Sequence, residues 1–253
     1  MVLNNYHTHT KRCHHAIGED REYVEKAIKS GIKTLGFSDH APYILPLDNN
    51  YSAHRILLTE AEDYVHSVRS LAKEYAKDIR ILCGFELEYY PDFHKEEMAY
   101  LKSFSPDYLI LGQHFLGDEK RFIRSSALEG DAALTAYVTQ AIAGLATGDF
   151  LYLAHPDLAG FRFSEETLQY EYRRLCLYAK AHNIPLELNL LGIREKRHYP
   201  SATFFKIAAE VGNDILIGID AHSPDALGRK DCYNEAMALV KSLNLRLIQT
   251  PLL

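Results

Sequence analysis

Tyr6-His7-Thr8-His9 stands at the end of the first predicted strand, residues 2–6. A strand sends residues i and i+2 to the same face, so the imidazoles of His7 and His9 point one way. Two like-facing imidazoles at a strand end make half of a divalent-metal site. By itself the pair is a weak signal and reads more readily as two surface histidines near a frayed terminus. Its weight comes from recurrence, because the same kinds of residue stand at one strand end after another.

Outward from that stretch, strand and helix patterns alternate. A helix over 19–30, with Asp20 as N-cap and Gly31 as its stop, leads to a mostly apolar strand over 34–38. A loop over 41–51 carries Pro42 and Pro46 and has the length of a binding loop or lid. Leu58, Ala61, Val65, Val68, Ala72 and Tyr75 then recur at steps of three and four, which predicts an amphipathic helix. Strands follow at 79–86, 108–111, 151–154, 185–190 and 215–219. Helices are predicted over 95–102, 131–146, 164–182 (capped by Ser164), 202–211 and 224–243, with a short closing strand within 245–250. Seven strand–helix units in one run imply a parallel sheet. The predicted fold is one α/β domain over 1–253, a distorted (β/α)7 TIM-like barrel. An open doubly wound sheet would carry a Gly-rich turn after the first strand, where His9-Thr10-Lys11-Arg12 stands instead.

Composition narrows the class. With 28 Lys+Arg against 34 Asp+Glu, the net charge of −6 argues against a broad nucleic-acid footprint. Cys13, Cys83, Cys176 and Cys232 are scattered without a CxxC pair, which reads as reduced thiols of a cytoplasmic protein. The N-terminal residues show no leader pattern, and no uncharged apolar run is long enough to span a bilayer. No membrane partner is expected, and no oligomeric state is specified.

The C-terminal ends of the predicted strands carry the chemistry. The first offers His7 and His9, with His14 and His15 just beyond. The second ends at Asp39-His40, the third at Glu86 with Glu88 two residues on, the fourth at His114 and the fifth at His155-Pro156-Asp157. The sixth gives the less distinctive Glu187 and Asn189. The seventh ends at Asp220-Ala221-His222. A barrel gathers these ends at one mouth, where its active sites sit. Packing does not explain them, since buried ionisable groups need partners. His66 falls off its helix's apolar stripe, and His54, His94 and His182 read as surface residues.

The ordered set His7-Thr8-His9, His15, Ser38-Asp39-His40-Ala41-Pro42, Gly84-Phe85-Glu86, His114, His155 and Asp220-Ala221-His222 resembles the PHP family (polymerase and histidinol phosphatase domains) over nearly the whole chain. The resemblance implies a distorted seven-stranded barrel holding up to three divalent ions. Carried over by position, His7, His9, Glu86 and Asp220 would hold the first ion. Glu86 would bridge to a second, held by His114 and His155. His15, His40 and His222 would hold the third, the family's spacing favouring His15 over His14. The ions would be Zn, Fe or Mn. Within the family, the opening His7-Thr8-His9…Cys13-His14-His15 and Asp39-His40-Ala41-Pro42 are most similar to the stand-alone histidinol-phosphate phosphatases. That branch hydrolyses L-histidinol phosphate to L-histidinol and phosphate in histidine biosynthesis.

Such a site would be strongly positive inside an acidic protein, because the ions dominate the local field and draw in an anionic ester. A bridged pair of ions lowers the pKa of shared water and supplies a hydroxide for attack on phosphorus. Arg162 and Arg197, after the fifth and sixth strands, are placed to grip phosphate oxygens. Asp39 reads as an outer-shell or proton-handling group, and Asp39 or His222 would protonate the leaving alkoxide. Glu88 and Asp157 are candidates for the substrate's ammonium, and His198 for the mouth of the pocket. The alternative is a PHP phosphoesterase acting on a nucleotide or another small ester. A third reading, of another class, is a non-catalytic, metal-stabilised module.

Overall fold

The computed structural model describes residues 2–44, 54–117 and 123–253. The elements, in chain order, are β1 (Asn4–Asn5), α1 (Asp20–Lys29), β2 (Thr34–His40), α2 (Ala61–Glu74), β3 (Arg80–Leu87), α3 (His94–Lys102) and β4 (Tyr108–Leu111). They continue with α4 (Asp131–Leu145), α5 (Glu165–Ala181), β5 (Leu186–Asn189), α6 (Leu190–Arg194), α7 (Ala202–Val211), β6 (Asp214–Gly218), α8 (Lys230–Ser242) and β7 (Arg246–Leu247). All ladders are parallel, in two curled sheets ordered β1-β2-β3-β4 and β5-β6-β7.

The predicted strand over 151–154 is not a strand. Only Leu153 bridges, to Leu111 on one side and Leu186 on the other. The left-handed turn at Gly148 precedes the segment, and His155 ends its extended run at φ 28°. It nevertheless ties β4 to β5, through Ala154 N–H to Leu111 O at 2.8 Å and Glu187 N–H to Leu153 O at 3.0 Å. At the other margin Thr8 bridges to Ala221, and Ile219 N–H donates to Asn5 Oδ1 at 2.8 Å.

Helix boundaries follow their caps. In α1 the cap is Glu19 rather than Asp20, whose carboxylate is taken by Arg12 at 2.8 Å. Ser164 caps α5 by accepting from Thr167 N–H, and Ser201 caps α7 by accepting from Phe204 N–H. The buried stripe of α2 is Ala61, Tyr64, Val68 and Leu71, with the predicted Val65, Ala72 and Tyr75 packed partly buried against the core beside it, and Leu58 is exposed in a preceding 3-10 turn. The last predicted helix starts as a 3-10 turn, Pro224–Gly228, before α8. Helix α6 replaces the end of the predicted strand over 185–190, because the Asn189 side chain accepts from Leu191 N–H and Gly192 N–H.

A large apolar core lies between the sheets and their helices. A second cluster (Tyr6, Leu82, Tyr108, Ile110, Tyr152, Ala154, Leu216) fills the concave side. Residues i, i+2 and i+4 of a strand share a face. The concave face of β3 therefore runs Leu82, Gly84, Glu86, with the carboxylate above the packed layer. Tyr108 is the large piece of that layer, and its hydroxyl donates to Tyr6 O at 2.8 Å and Phe37 O at 3.1 Å. Space for it comes from Gly84, where a Cβ would stand 2.6 Å from Tyr108 O and 2.7 Å from its ring.

Gly84→Ala is therefore predicted to cost about 1–3 kcal/mol through overpacking, a drop of several degrees in thermal midpoint. Calorimetry checks it, and an unchanged midpoint would contradict this packing.

Candidate metal centre

Two buried carboxylates from distant strand ends, Glu86 near the end of β3 and Asp220 just after β6, set the centre of the site. Glu86 Oε2 lies 3.5 Å from His7 Nε2, 3.6 Å from His9 Nε2 and 3.1 Å from His40 Nδ1. Its Oε1 lies 3.0 Å from His155 Nε2 and 3.6 Å from His114 Nε2. Asp220 Oδ1 is 3.2 Å from His9 Nε2, 3.6 Å from His7 Nε2 and 3.2 Å from His222 Nδ1. His222 Nε2 and His15 Nε2 face each other at 2.9 Å.

Among the described residues, five atoms of the cluster are buried without a hydrogen-bond partner, and besides His155 Nδ1 these are His7 Nε2, His9 Nε2, Glu86 Oε2 and Asp220 Oδ1. The last four come from different residues and face one another at 3.2–3.6 Å. Groups of these residues bring their ligand atoms within 4.8 Å of one another: His7, His9 and Glu86; His7, His155 and Asp220; His9, His40 and His222. Orphaned acceptors in an interior normally cost stability. A donor set of imidazoles and carboxylates aimed at a common point suits a divalent cation.

The rings are held from behind. Glu187 Oε1 takes His7 Nδ1 at 2.8 Å, and Asp39 Oδ1 takes His9 Nδ1 at 3.3 Å. Glu88 Oε1 takes His114 Nδ1 at 3.1 Å, and Cys13 O takes His15 Nδ1 at 2.8 Å. Engaging Nδ1 leaves Nε2 to face inward, which is how supporting groups fix a ligand histidine. The supports are themselves anchored. Glu187 Oε2 accepts from His155 N–H at 3.0 Å and from Asn189 Nδ2 at 2.9 Å. Asp39 accepts from Thr10 N–H at 2.9 Å, from the Thr10 hydroxyl and from His40 N–H at 2.9 Å. Glycines give the carboxylates room, since a Cβ on Gly112 would collide with Glu86 and one on Gly218 with Glu187. His155 and Asp220 both take left-handed backbone, φ 28° and 51°, a costly conformation of the kind that clusters at functional sites.

Electrostatics divide the histidines. Burial pulls His7 and His9 down, but carboxylates overcome it: Asp220, Glu187 and Glu86 raise His7 well above the ordinary range, and Asp220, Asp39 and Glu86 raise His9 to about 9. Burial also opposes charge on Glu86, yet His114, His7 and His40 hold it well below the usual carboxylate range. In His40, burial outweighs the pull of Glu86, and the ring is pushed well below the ordinary range. Burial and His222 bring His15 to about 4, and burial and His9 lower His222. Those three rings are therefore neutral, the form that ligates metal.

The cluster forms the floor of a cavity of about 300 Å³ whose walls include His54, Arg55, Phe115, Arg124, Leu158, Leu191, Glu195, Arg197 and Tyr199. The nine predicted ligands converge here. His15 reaches the cluster, whereas His14 turns away to Glu60 at 3.2 Å.

Several other assignments need correction. Arg162 does not border the cavity; it is solvent-exposed and paired with Glu129 at 2.5 Å. Asp157 is buried behind the wall and accepts from Ser201 N–H, so it does not face a ligand. His198 gives its Nε2 to Leu158 O at 2.8 Å and stays outside the lining. Glu88 borders the cavity, but its oxygens are held by Arg55 at 3.1 Å, the Tyr43 hydroxyl and His114, so it orients a histidine. Asp39 lies beneath His9 rather than at the wall. Arg197 does border the cavity, paired with Glu195. His54 is exposed, as expected, and stands 4.8 Å from the His15 ring at the rim of the cavity.

The strand-end pattern did not single out Glu187, Asn189, Arg55, Arg124 or Glu195. Glu187 and Asn189 carried a signal in their i,i+2 spacing at a strand end. The other three sit in loops, where no periodicity marks a direction.

A family profile described as the PHP domain matches residues 5–190. A probable histidinol-phosphatase of Deinococcus radiodurans is 29% identical over 235 residues, covering 89% of this chain and 88% of that one. The histidinol-phosphatase of Bacillus subtilis is 32% identical over 132 residues, covering 49% of this chain and 48% of its own. The crystal structure of histidinol phosphate phosphatase from Lactococcus lactis, complexed with zinc, L-histidinol and phosphate, superposes with a TM-score of 0.74 at 17% identity, covering 98% of this chain and 96% of that one. The profile spans most of the chain, including the strands that deliver His7, His9, His40, Glu86 and His114, and the chain belongs to the PHP domain family.

Proposed function

We propose that the chain is a metal-dependent phosphatase that hydrolyses L-histidinol phosphate to L-histidinol and phosphate. The observation that carries this reading is the set of four orphaned atoms on His7, His9, Glu86 and Asp220, the last three of these residues lining a small cavity beside Arg197. The Deinococcus relative, similar over nearly its whole length, supports the choice of substrate.

His7, His9, Glu86 and Asp220 would hold one ion; His114 and His155, sharing Glu86, a second; His15, His40 and His222 a third. Imidazole-rich sites with few carboxylates suit Zn, Fe or Mn. When bound, the ions supply Lewis acidity and water of lowered pKa next to the ester.

The chain's own groups do the rest. Arg197 offers a planar donor fork for the phosphate oxygens. Phe115, Leu158 and Leu191 give the substrate ring apolar walls. A cavity of about 300 Å³ suits a small ester better than a nucleotide. His222 borders the cavity as a neutral ring that would help hold the third ion, so it has no proton to hand to the leaving alkoxide, and Asp39 is enclosed and orients His9.

One core running from Val2 to Leu245 supports a single domain over 1–253, and the bridges at Leu153 and Thr8 support a closed seven-stranded barrel. Four buried, unbonded cysteines support a cytoplasmic setting. No described helix is long and apolar enough to cross a membrane.

Three outcomes are expected. Exhaustive chelation abolishes phosphate release and Mn²⁺, Zn²⁺ or Fe²⁺ restores it; activity surviving verified metal removal would contradict the reading. His9→Ala eliminates turnover, while Asp39→Asn, one shell out, lowers metal affinity about 10–100-fold, as read by competition with a chromogenic chelator. L-histidinol phosphate gives a kcat/KM far above those of nucleotide monophosphates and aryl phosphates. Equal values for all three would remove the substrate assignment and leave the phosphatase.

A further inference from the structure

We infer that Glu195 determines specificity by binding the substrate's ammonium, and that its ion pair with Arg197 opens on substrate binding to take the two substrate charges. This inference rests on the histidinol phosphate reading.

The charges around the cavity leave little choice. Four carboxylates border it among the described residues: Glu86, Glu88, Glu195 and Asp220. Glu86 and Asp220 face the metal cluster. Glu88 is spent on Arg55, Tyr43 and His114. Glu195 alone stands outside that network, with 43% of its side chain exposed. Its partner is Arg197, whose Nε reaches Glu195 Oε2 at 2.8 Å and whose Nη1 reaches the Tyr199 hydroxyl at 2.9 Å. Arg194 is more distant, 4.0 Å from Oε1.

L-histidinol phosphate carries an ammonium on the carbon next to the one bearing the phosphate ester. A phosphate and a cation so close together match a guanidinium and a carboxylate two residues apart on one loop. Opening the protein's pair costs little, because an exposed ion pair contributes only about 0–1 kcal/mol. Two charge-assisted contacts in a cavity partly cleared of water replace it. An ester without the amine would leave Glu195 unpaired, so the exchange also discriminates.

The test compares wild type and Glu195→Gln, both metal-loaded, on L-histidinol phosphate and on its des-amino analogue, imidazolylpropyl phosphate. The wild type is expected to favour the amine-bearing ester, and Glu195→Gln to reduce that preference about 10–100-fold, mainly through KM. Glu195→Asp should restore part of it. If the variant loses activity on both esters equally, Glu195 only positions Arg197, and the inference is overturned. If the variant keeps the wild-type preference, the inference fails while the substrate reading stands. If the wild type hydrolyses L-histidinol phosphate but shows no preference for the amine, the inference fails while the substrate reading stands; if it does not hydrolyse L-histidinol phosphate, both fail together.

Discussion

Glu86 and Asp220 bring two carboxylates into the interior within 3.6 Å of the Nε2 atoms of both His7 and His9. Burying such charges is strongly unfavourable unless opposite charge and hydrogen bonds answer them. The imidazoles answer in part, by rising toward their charged form. A divalent cation at their common focus would answer it fully, displacing protons from His7 and His9 as it binds. The rest of the molecule can be understood as a frame that holds this cluster together.

That frame is a hierarchy. Tyr108 and its neighbours fill the concave layer under the site, and glycines at 84, 112 and 218 leave room for bulk or for carboxylate exactly where a side chain would intrude. Above it, Asp39, Glu88 and Glu187 grip imidazole Nδ1 atoms and set the rings. Asn189 links two parts of the site, donating to both Glu187 and Asp220. Orientation is thus fixed by buried groups on strand ends, while Arg197 and Glu195, which border the cavity after α6, have half-exposed side chains paired with each other.

Strand ends were legible in the sequence because a period of two and a His, Asp or Glu after an apolar run have one geometric meaning in a parallel sheet. The full set of nine ligands, His15 rather than His14 included, is what the family resemblance implies, and those nine positions converge in the structure. The segment over 151–154 reads as a strand by composition, but the turn at Gly148 and the left-handed His155 leave a single bridging residue. Loop residues were not legible. Arg162 and Arg197 look alike in sequence, yet Glu129 holds one in solvent and the other borders the cavity. Glu88 and Asp157 failed as ammonium partners because an acid near a strand end is more readily used by Arg55 or by the Ser201 backbone. The loop over 41–51 falls largely outside the described residues.

The central claim is that distant residues meet around bound cations. The most direct measurement is a crystal structure of the metal-loaded protein with anomalous data collected at the metal edge. The account predicts an anomalous peak within coordination distance of His7 Nε2, His9 Nε2, Glu86 and Asp220, with further density near His114–His155 and His15–His40–His222. A fully metal-loaded crystal with no peak among those four residues, and with Glu86 and His7 satisfied by water or by each other, would contradict it.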